Sequence, residues 1–346
     1  MEQRPNYQEL KDFGYLFLGP VFSAYLNSYC KKYEFSTPIC LAREGWALQR
    51  LFQKFTSSHK YKNIEKPVYL KVSRTLLFRA ALGEKRHWKF LLSKSYVGTI
   101  NQLLRNRFGL SEREIANLEL DQEIKQIKLP EQADLVIDWL TRNENRLEEI
   151  TARTRNAVTN YLRANVLPNR KNVFVDIGYS GTIQTLIGIL TESETEGYYF
   201  ITTPVSEVED TPRIKMEACF LNEAKWNSGQ LMLDKSLILE CLLTAPHGQI
   251  RDIVEKSTGG FEFLYGQHSL SQTYFQDLLA ILDGADACVQ DAIANETEYS
   301  SDEVTAMMNA GLAAPSVIPR NLKYLFKIDD DFSGNGILDA AKFFGI

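Results

Sequence analysis

The fold is indicated most clearly by residues 173–182, VFVDIGYSGT. Three apolar residues of high β-propensity precede an acid and a turn that contains two glycines. Apolar residues then follow at helical spacing: Ile183, Leu186, Ile187 and Leu190. A buried strand that runs through a tight turn into a helix is the repeating unit of parallel α/β sheets. This segment therefore predicts one such unit.

Two similar units occur earlier in the chain. Residues 38–42 form an apolar run that is followed by apolar residues at helical spacing up to Phe55. Residues 68–72 form another, which ends before an apolar helical segment at 75–82. A fourth strand is expected at 198–203. These units predict an α/β fold with a mainly parallel sheet.

The remaining segments divide the chain into four parts. Residues 1–82 are expected to form the first half of the α/β core, and residues 169–255 the second half. Between them, residues 83–168 carry helix signals, such as a capping box of Ser111 and Glu114, without a convincing strand. They predict a helical insertion or cap. Residues 256–346 are expected to be mainly helical. The C-terminal region as a whole is expected to be mixed, with helices and strands.

Composition narrows the class of protein. The chain has 346 residues, 44% of them hydrophobic, which is enough for a packed core. Its net charge of −5 argues against a surface that coats nucleic acid, because such a surface needs many cations. No apolar run reaches the roughly 20 residues that a membrane span needs. The 5 cysteines have no metal-ligand or paired spacing, so we expect a cytoplasmic protein without disulfides.

Candidate site residues follow the predicted strands. Ligands of parallel α/β proteins bind outside the carboxyl ends of the strands, where loops and helix starts present polar groups. Three loops meet this criterion, and if their strands are neighbours they share one rim. Their residues are Arg43, Glu44 and Gly45; Ser73 and Arg74; and Asp176, Gly178, Tyr179, Ser180, Gly181 and Thr182.

The third loop has the chemistry of an anion site. Gly178 and Gly181 allow backbone conformations that turn consecutive N–H groups inward, and Ser180 and Thr182 add hydroxyl donors. Asp176 would repel a bare phosphate, but it suits a sugar hydroxyl or a Mg²⁺ ion that bridges to the ligand. The alternative is a tight connection whose glycines serve only close packing.

The other cations have competing interpretations. Arg43 at a helix start suits a phosphate or pyrophosphate, although an Arg–Glu surface pair explains it as well. Arg74 alone is more typical of a solvated arginine, and His247 of a plain loop histidine than of an acid or base. The arginines of the helical insertion could line a cap over the rim, although arginines on a helix more typically lie on its solvated face. They are Arg105, Arg107, Arg153, Arg155 and Arg163.

The order of these loops resembles the phosphoribosyltransferase fold. The resemblance implies that Arg43, Glu44 and Gly45 hold pyrophosphate, that Asp176 contacts ribose hydroxyls, and that residues 180–182 cradle the 5′-phosphate. The sequence departs from the pattern at Val175, where the family has a second acid, and at Ile183, where it has a threonine. The gap of roughly 130 residues between the loops also requires an insertion.

A second resemblance covers most of the chain. Residues 41–45, 69–74, 176–184 and 240–248 look like the segment that follows a haloacid-dehalogenase-like domain in bacterial proteins of surface-polysaccharide loci. Members of that group often accompany glycosyltransferases. The resemblance does not extend to the neighbouring domain that carries the phosphatase signature, so it does not imply phosphatase activity.

Three hypotheses remain open. The first is a protein, with a transferase activity or without one, that binds a phosphorylated sugar or nucleotide-sugar, with Mg²⁺ as the cofactor to test. No catalytic residue is assigned. The second is a non-catalytic module that docks a glycosyltransferase or another protein partner. The third, a methyltransferase using S-adenosylmethionine, is disfavoured because the glycine spacing after Asp176 is wrong and the strand lies mid-chain.

Overall fold

The computed structural model describes residues 4–56, 63–119, 126–205, 211–314, 316–330 and 336–345. In chain order, the helices and strands of these ranges are α1 (Tyr7–Phe17), α2 (Gly19–Lys32), β1 (Ser36–Leu41), α3 (Gly45–Thr56), β2 (Val68–Leu70), α4 (Arg74–Leu82), α5 (Trp88–Leu91), β3 (Tyr96–Gly98), α6 (Ile100–Asn106), α7 (Glu112–Ala116), β4 (Ile127–Leu129), α8 (Ala133–Arg142), α9 (Glu144–Asn165), β5 (Lys171–Asp176), α10 (Thr182–Thr191), β6 (Thr195–Ile201), β7 (Ile214–Leu221), α11 (Leu231–Asp234), α12 (Leu237–Leu242), β8 (Ile250–Glu255), β9 (Phe261–Tyr265), α13 (Phe275–Ala294), α14 (Ser301–Ala313), β10 (Lys327–Asp330), β11 (Gly336–Asp339) and α15 (Ala340–Phe343).

The central sheet has five strands in the order β2-β1-β5-β6-β7, and every neighbouring pair is parallel. The α/β fold with a mainly parallel sheet is therefore confirmed. The chain runs outward from β1 to β2 on one side and from β5 through β6 to β7 on the other. The strand order thus reverses between β1 and β5, which is the position where ligands bind in open α/β sheets.

Each face of the sheet is covered by its own apolar cluster. On one face lie α1, α2, α3 and the helices α11 to α15. On the other lie α4, α9 and α10 with the rest of the 83–168 segment. The strands of a sheet covered on both faces are apolar on both, and β1 accordingly has no exposed residue. The two layers fix the carboxyl ends of β1, β2 and β5 at a common edge.

The 83–168 segment is mainly helical, and it also contains a two-stranded antiparallel ribbon. β3 pairs with β4 across Tyr96 and Leu129, and neither strand was recognised in the sequence. Strands of three residues are too short for a period-two pattern to be recognised. The predicted capping box is confirmed, because Ser111 accepts a hydrogen bond from the backbone N–H of Glu114 and the Glu114 carboxylate accepts one from that of Ser111.

The C-terminal part combines helices with two antiparallel hairpins, β8–β9 and β10–β11. The expected boundary between residues 255 and 256 lies in the turn of the first hairpin. The long helix α13 begins at Phe275, after a short 3₁₀ helix at Ser271–Tyr274. No helix among the described residues is long and apolar enough to cross a bilayer. All 5 cysteines are free thiols.

Candidate functional site

The three predicted loops meet in one cavity at the carboxyl edge of the sheet. The cavity measures about 210 Å³ and lies at the point where the strand order reverses. Ten of the eleven predicted residues line it: Arg43, Glu44, Ser73, Arg74, Asp176, Gly178, Tyr179, Ser180, Gly181 and Thr182. The shared rim expected from the sequence therefore exists as a geometric feature.

Gly45 is the predicted residue that does not line the cavity. It is buried at the first position of α3, and a Cβ atom there would lie 2.5 Å from the carbonyl carbon of Cys40. Such an approach is far below van der Waals contact, so the helix can lie this close to β1 only with glycine at that position. In this structure Gly45 serves the packing of the loop.

The turn after β5 has the backbone that its glycines predicted. Gly178 has a φ of +148° and Gly181 a φ of +62°, both in the region that favours glycine. A Cβ atom on Gly178 would also lie 2.5 Å from the carbonyl oxygen of Ile201. The peptide bonds Ala42–Arg43 and Gly178–Tyr179 are cis.

The helix start at this turn has no side-chain cap. Gly181 is the N-cap of α10 and has no side chain that could accept a hydrogen bond from the first-turn amides. The hydroxyl groups of Ser180 and Thr182 lie 3.1 Å apart at the same place. First-turn amides carry a partial positive charge, so this end of the cavity favours an anionic group.

The cavity is also lined by three carboxyl groups, those of Asp176, Glu44 and Glu240. Asp176 is only 7% exposed, and its Oδ1 accepts a hydrogen bond from the N–H of Ile177 at 2.8 Å. Burial, together with the nearby Glu44 carboxylate, raises the pKa of Asp176 well above its ordinary value. The raised pKa favours the protonated form of this carboxyl, which can donate a hydrogen bond as well as accept one.

Glu240 is the third carboxyl and was not among the predicted site residues. It lies on α12, and its Oε1 accepts a hydrogen bond from the hydroxyl group of Tyr179 at 3.1 Å. Burial and the Glu44 charge raise the pKa of Glu240 to about 7, while Arg74 and Arg43 act in the opposite direction. A carboxyl with this pKa can accept or donate a proton near neutrality.

Ser73 reaches the cavity wall, but its hydroxyl group is committed to the fold. The Oγ atom accepts a hydrogen bond from the N–H of Leu76 and donates one to the carbonyl oxygen of Ile250, at 3.1 and 2.6 Å. It therefore caps α4 and ties it to β8. Arg74, the first residue of that helix, carries the charge of this loop.

Sequence analysis missed the residues that enclose the cavity from distant parts of the chain. They are Tyr199, Leu237, Glu240, Gln249, Ile250 and Ile328. One signal was available, since Glu240 is the single charged residue of the short apolar helix α12. A lone acid between buried positions is costly unless it has a partner or a function.

The remaining candidates lie outside the cavity. His247 is half-buried, with Nε2 2.9 Å from the Tyr69 hydroxyl oxygen and Nδ1 2.9 Å from the carbonyl oxygen of Gly248. Burial lowers its pKa. None of the five insertion arginines lines the cavity. Arg107, expected on a solvated face, is instead 1% exposed and donates to the carbonyl oxygens of Lys94 and Ser95.

The described residues contain no group of three or more histidine, cysteine or acidic side chains arranged to hold a metal ion. No protein-family model matches the chain, and no curated protein matches it significantly.

Proposed function

We propose that the cavity binds a phosphorylated sugar, as the free sugar phosphate or as part of a nucleotide-sugar. The observation that carries the proposal is the convergence of three strand-end loops at the reversal point of the sheet, beside a helix start without a side-chain cap. Few arrangements in an α/β protein provide free amide donors, hydroxyl groups, guanidinium groups and carboxyl groups within one small cavity.

The two kinds of polar group suit the two ends of such a ligand. The first-turn amides of α10, with Ser180 and Thr182, would hold the phosphate, and Arg43 and Arg74 would offset its charge. The carboxyl groups of the same cavity would accept hydrogen bonds from sugar hydroxyls. The raised pKa of Asp176 favours its neutral form, which repels a phosphate less than the ionised form does.

The size of the cavity favours a small ligand. About 210 Å³ is below the roughly 300 to 1,000 Å³ of pockets that enclose drug-sized molecules. A sugar phosphate fits this space better than a whole nucleotide-sugar, whose base would extend beyond the rim. We therefore expect the sugar phosphate moiety to be the part that the cavity recognises.

Magnesium enters the proposal only together with the ligand. Mg²⁺ usually keeps several waters and is bound by one or two carboxylates plus the phosphates of its substrate. Asp176 and Glu44 supply the protein's share of such a site without forming a cage of their own. Because the Asp176 carboxyl, whose pKa is raised, must lose its proton to bind a cation, any Mg²⁺ effect should increase with pH.

The resemblances extend the proposal to a family and a process. A phosphoribosyltransferase-like transferase would use this same cavity. From the polysaccharide-locus resemblance we propose that the ligand belongs to polysaccharide or glycoconjugate synthesis. Val175 weakens the transferase part, since a buried valine stands where that family has its second acid. Release of pyrophosphate from phosphoribosyl pyrophosphate would support transfer; binding without release would leave the protein a binding module.

A thermal-shift and calorimetric screen tests the binding. The probes are glucose 1-phosphate, phosphoribosyl pyrophosphate and a nucleotide-sugar, each with and without Mg²⁺. A ligand at 100 times its Kd stabilises the native state by about 2.7 kcal/mol. Arg43→Ala and Asp176→Ala should each weaken binding at least about tenfold, whereas Arg320→Ala, an exposed arginine elsewhere, should not. Stabilisation by no probe, or equal binding by all variants, would refute the proposal.

One observation favours the alternative of a docking module. An apolar groove between α1 and α14 is lined by Phe13, Leu16, Met307 and Val317, and Leu16 is 71% exposed. Methionine-lined grooves of this kind suit amphipathic helices of protein partners. If the ligand screen fails, Leu16→Lys should reduce binding to a purified glycosyltransferase partner; unchanged binding would remove this alternative too.

A further inference from the structure

A second cavity lies at the opposite edge of the central sheet. It measures about 940 Å³ and lies where α9 and α10 end and where β5, β6 and β7 begin. Lys171, Asn172 and Phe174 of β5 line it, whereas Asp176 at the carboxyl end of the same strand lines the first cavity. The two cavities share no lining residue, so they are separate sites.

The lining of the second cavity is basic, although the chain as a whole is acidic. Cations outnumber acids there: Arg163, Arg170, Lys171, Arg213 and Lys215 stand against Glu194 and Glu196. Two of the cations have acidic neighbours, since Lys215 pairs with Glu196 at 2.8 Å and Arg170 with Glu65 at 3.5 Å. Exposed pairs of this kind are weak, and an incoming anion can compete for them.

A row of unpaired polar side chains lies beneath this cavity. Thr37 on β1 is in register with Asn172 on β5. Val173 on β5 is in register with Glu196 on β6, so the residues before them, Asn172 and Thr195, are also neighbours. Within the described part of the chain, Thr37 Oγ1, Asn172 Oδ1 and Thr195 Oγ1 are buried and have no hydrogen-bond partner. Three adjacent strands thus place one unpaired oxygen each in a single row.

The orientation of Asn172 is fixed by its other atoms. Its Nδ2 donates hydrogen bonds to the carbonyl oxygens of Leu167 and Arg170, at 2.7 and 3.1 Å. A flipped amide would place Oδ1 against these two acceptors, so Oδ1 is the acceptor that remains unpaired. Asn172 lines the cavity.

Thr195 lines the cavity too, although it is only 8% exposed. Its Oγ1 is covered in this structure, so a ligand in the cavity would reach this hydroxyl group only after the threonine side chain changes rotamer. A buried polar group without a partner destabilises the fold, and such a cost is tolerated mainly where a ligand or an ordered water completes the hydrogen bonds.

We propose that this cavity is a second binding site, and that its ligand is an anionic carbohydrate. The cations at the rim would bind carboxylate, sulfate or phosphate groups, and Thr195 and Asn172 would bind hydroxyl groups of the same ligand. The inference does not depend on the function proposed for the first cavity, because it rests on different residues.

Calorimetric titration of the full chain tests the site. The probes are a heparin-derived hexasaccharide, which is anionic, and maltohexaose, which is neutral. We expect binding of the first only, weakened by added salt because part of the affinity is ionic. Arg213→Ala and Thr195→Val should each weaken it at least about tenfold, while Thr195→Ser retains it. Arg320→Ala serves as the matched control, and Arg43→Ala reports on the first cavity.

Thr195→Val has a second readout that a purely structural hydroxyl would not give. Valine has nearly the same shape without the unpaired oxygen, so the unliganded variant should melt about 1 to 4 °C higher than the wild type. Failure of the hexasaccharide to bind, equal binding by Thr195→Val or Arg213→Ala, loss of binding in Arg43→Ala, or a lower melting temperature for Thr195→Val would each overturn the proposal. Equal affinity for maltohexaose would overturn the requirement for charge.

Discussion

Raising the pH from about 5 to about 8 should weaken the unliganded fold through the carboxyl group of Glu240. Its pKa lies near 7 in the folded chain, against 4.5 for an ordinary glutamate. Between these values the native state binds more protons at this site than the unfolded state does, so stability falls as pH rises. The loss begins above the unfolded pKa and is complete once the pH passes the folded one.

The magnitude follows from the same two values. The difference between 4.5 and about 7 corresponds to about 3 kcal/mol of unfolding free energy. For a chain of 346 residues this is about 4 °C in melting temperature. Asp176 adds to the trend, because its pKa is raised as well. His247 opposes it, because a histidine whose pKa is lowered gains stability as pH rises.

Urea denaturation of the wild type and of Glu240→Gln at both pH values isolates the contribution of one carboxyl. Glutamine keeps an oxygen that can accept the hydrogen bond of Tyr179 but does not titrate. The wild type should therefore lose about 3 kcal/mol more than the variant over this range. Glu149→Gln, on an exposed position of α9, should behave as the wild type. Parallel pH profiles for wild type and Glu240→Gln would show that the Glu240 carboxyl is not perturbed.

Three further outcomes are expected. Gly178→Ala should destabilise the fold by about 2 kcal/mol or more, because a Cβ atom meets a carbonyl at 2.5 Å, whereas Gly259→Ala, with positive φ but open space, should cost less in the same urea assay. Arg79→Ala should cost about 1.5 to 3 kcal/mol, since it removes the hydrogen bonds of a buried guanidinium group to Glu114, Thr154 and the carbonyl oxygen of Gly109; a loss under 1 kcal/mol would contradict this. Tyr179→Phe should raise the pKa of Glu240, because a hydrogen bond to the carboxylate is lost; NMR titration of the glutamate measures the direction, and a lower value would be the contrary result.

The site residues that could be predicted from the sequence are those at the carboxyl ends of predicted strands. Arg43 and Arg74 follow β1 and β2, and Asp176 is the last residue of β5. Parallel neighbours must bring such residues to one edge. The glycine conformations were predictable for the same reason, since only the residue and its turn are involved. Which strand neighbours which was not given by any local pattern; it came from the assumption that the three units form one sheet.

Residues contributed by distant segments could not be found in this way. Glu240 and Ile328 reach the cavity because α12 and β10 pack over the carboxyl edge, and no spacing in the sequence expresses that contact. The role of Ser73 was equally hidden, because a serine at a helix start is both a typical N-cap and a typical ligand donor. The hydrogen bond from Ser73 to the carbonyl oxygen of Ile250 shows that this serine serves the fold, and that partner lies 177 residues away in the sequence.

The strand β5 connects the two proposed sites, and polar groups at each of its ends reduce the stability of the fold in different ways. At the carboxyl end, Asp176 is buried with a perturbed pKa, which is a cost that grows with pH. At the amino end, Asn172 and its neighbours leave oxygens unpaired, which is a cost that pH does not change. Val173, Phe174 and Val175 between them are buried in the two apolar clusters. Because the apolar middle of the strand stabilises the fold, either end can carry polar groups that destabilise the fold but can bind a ligand.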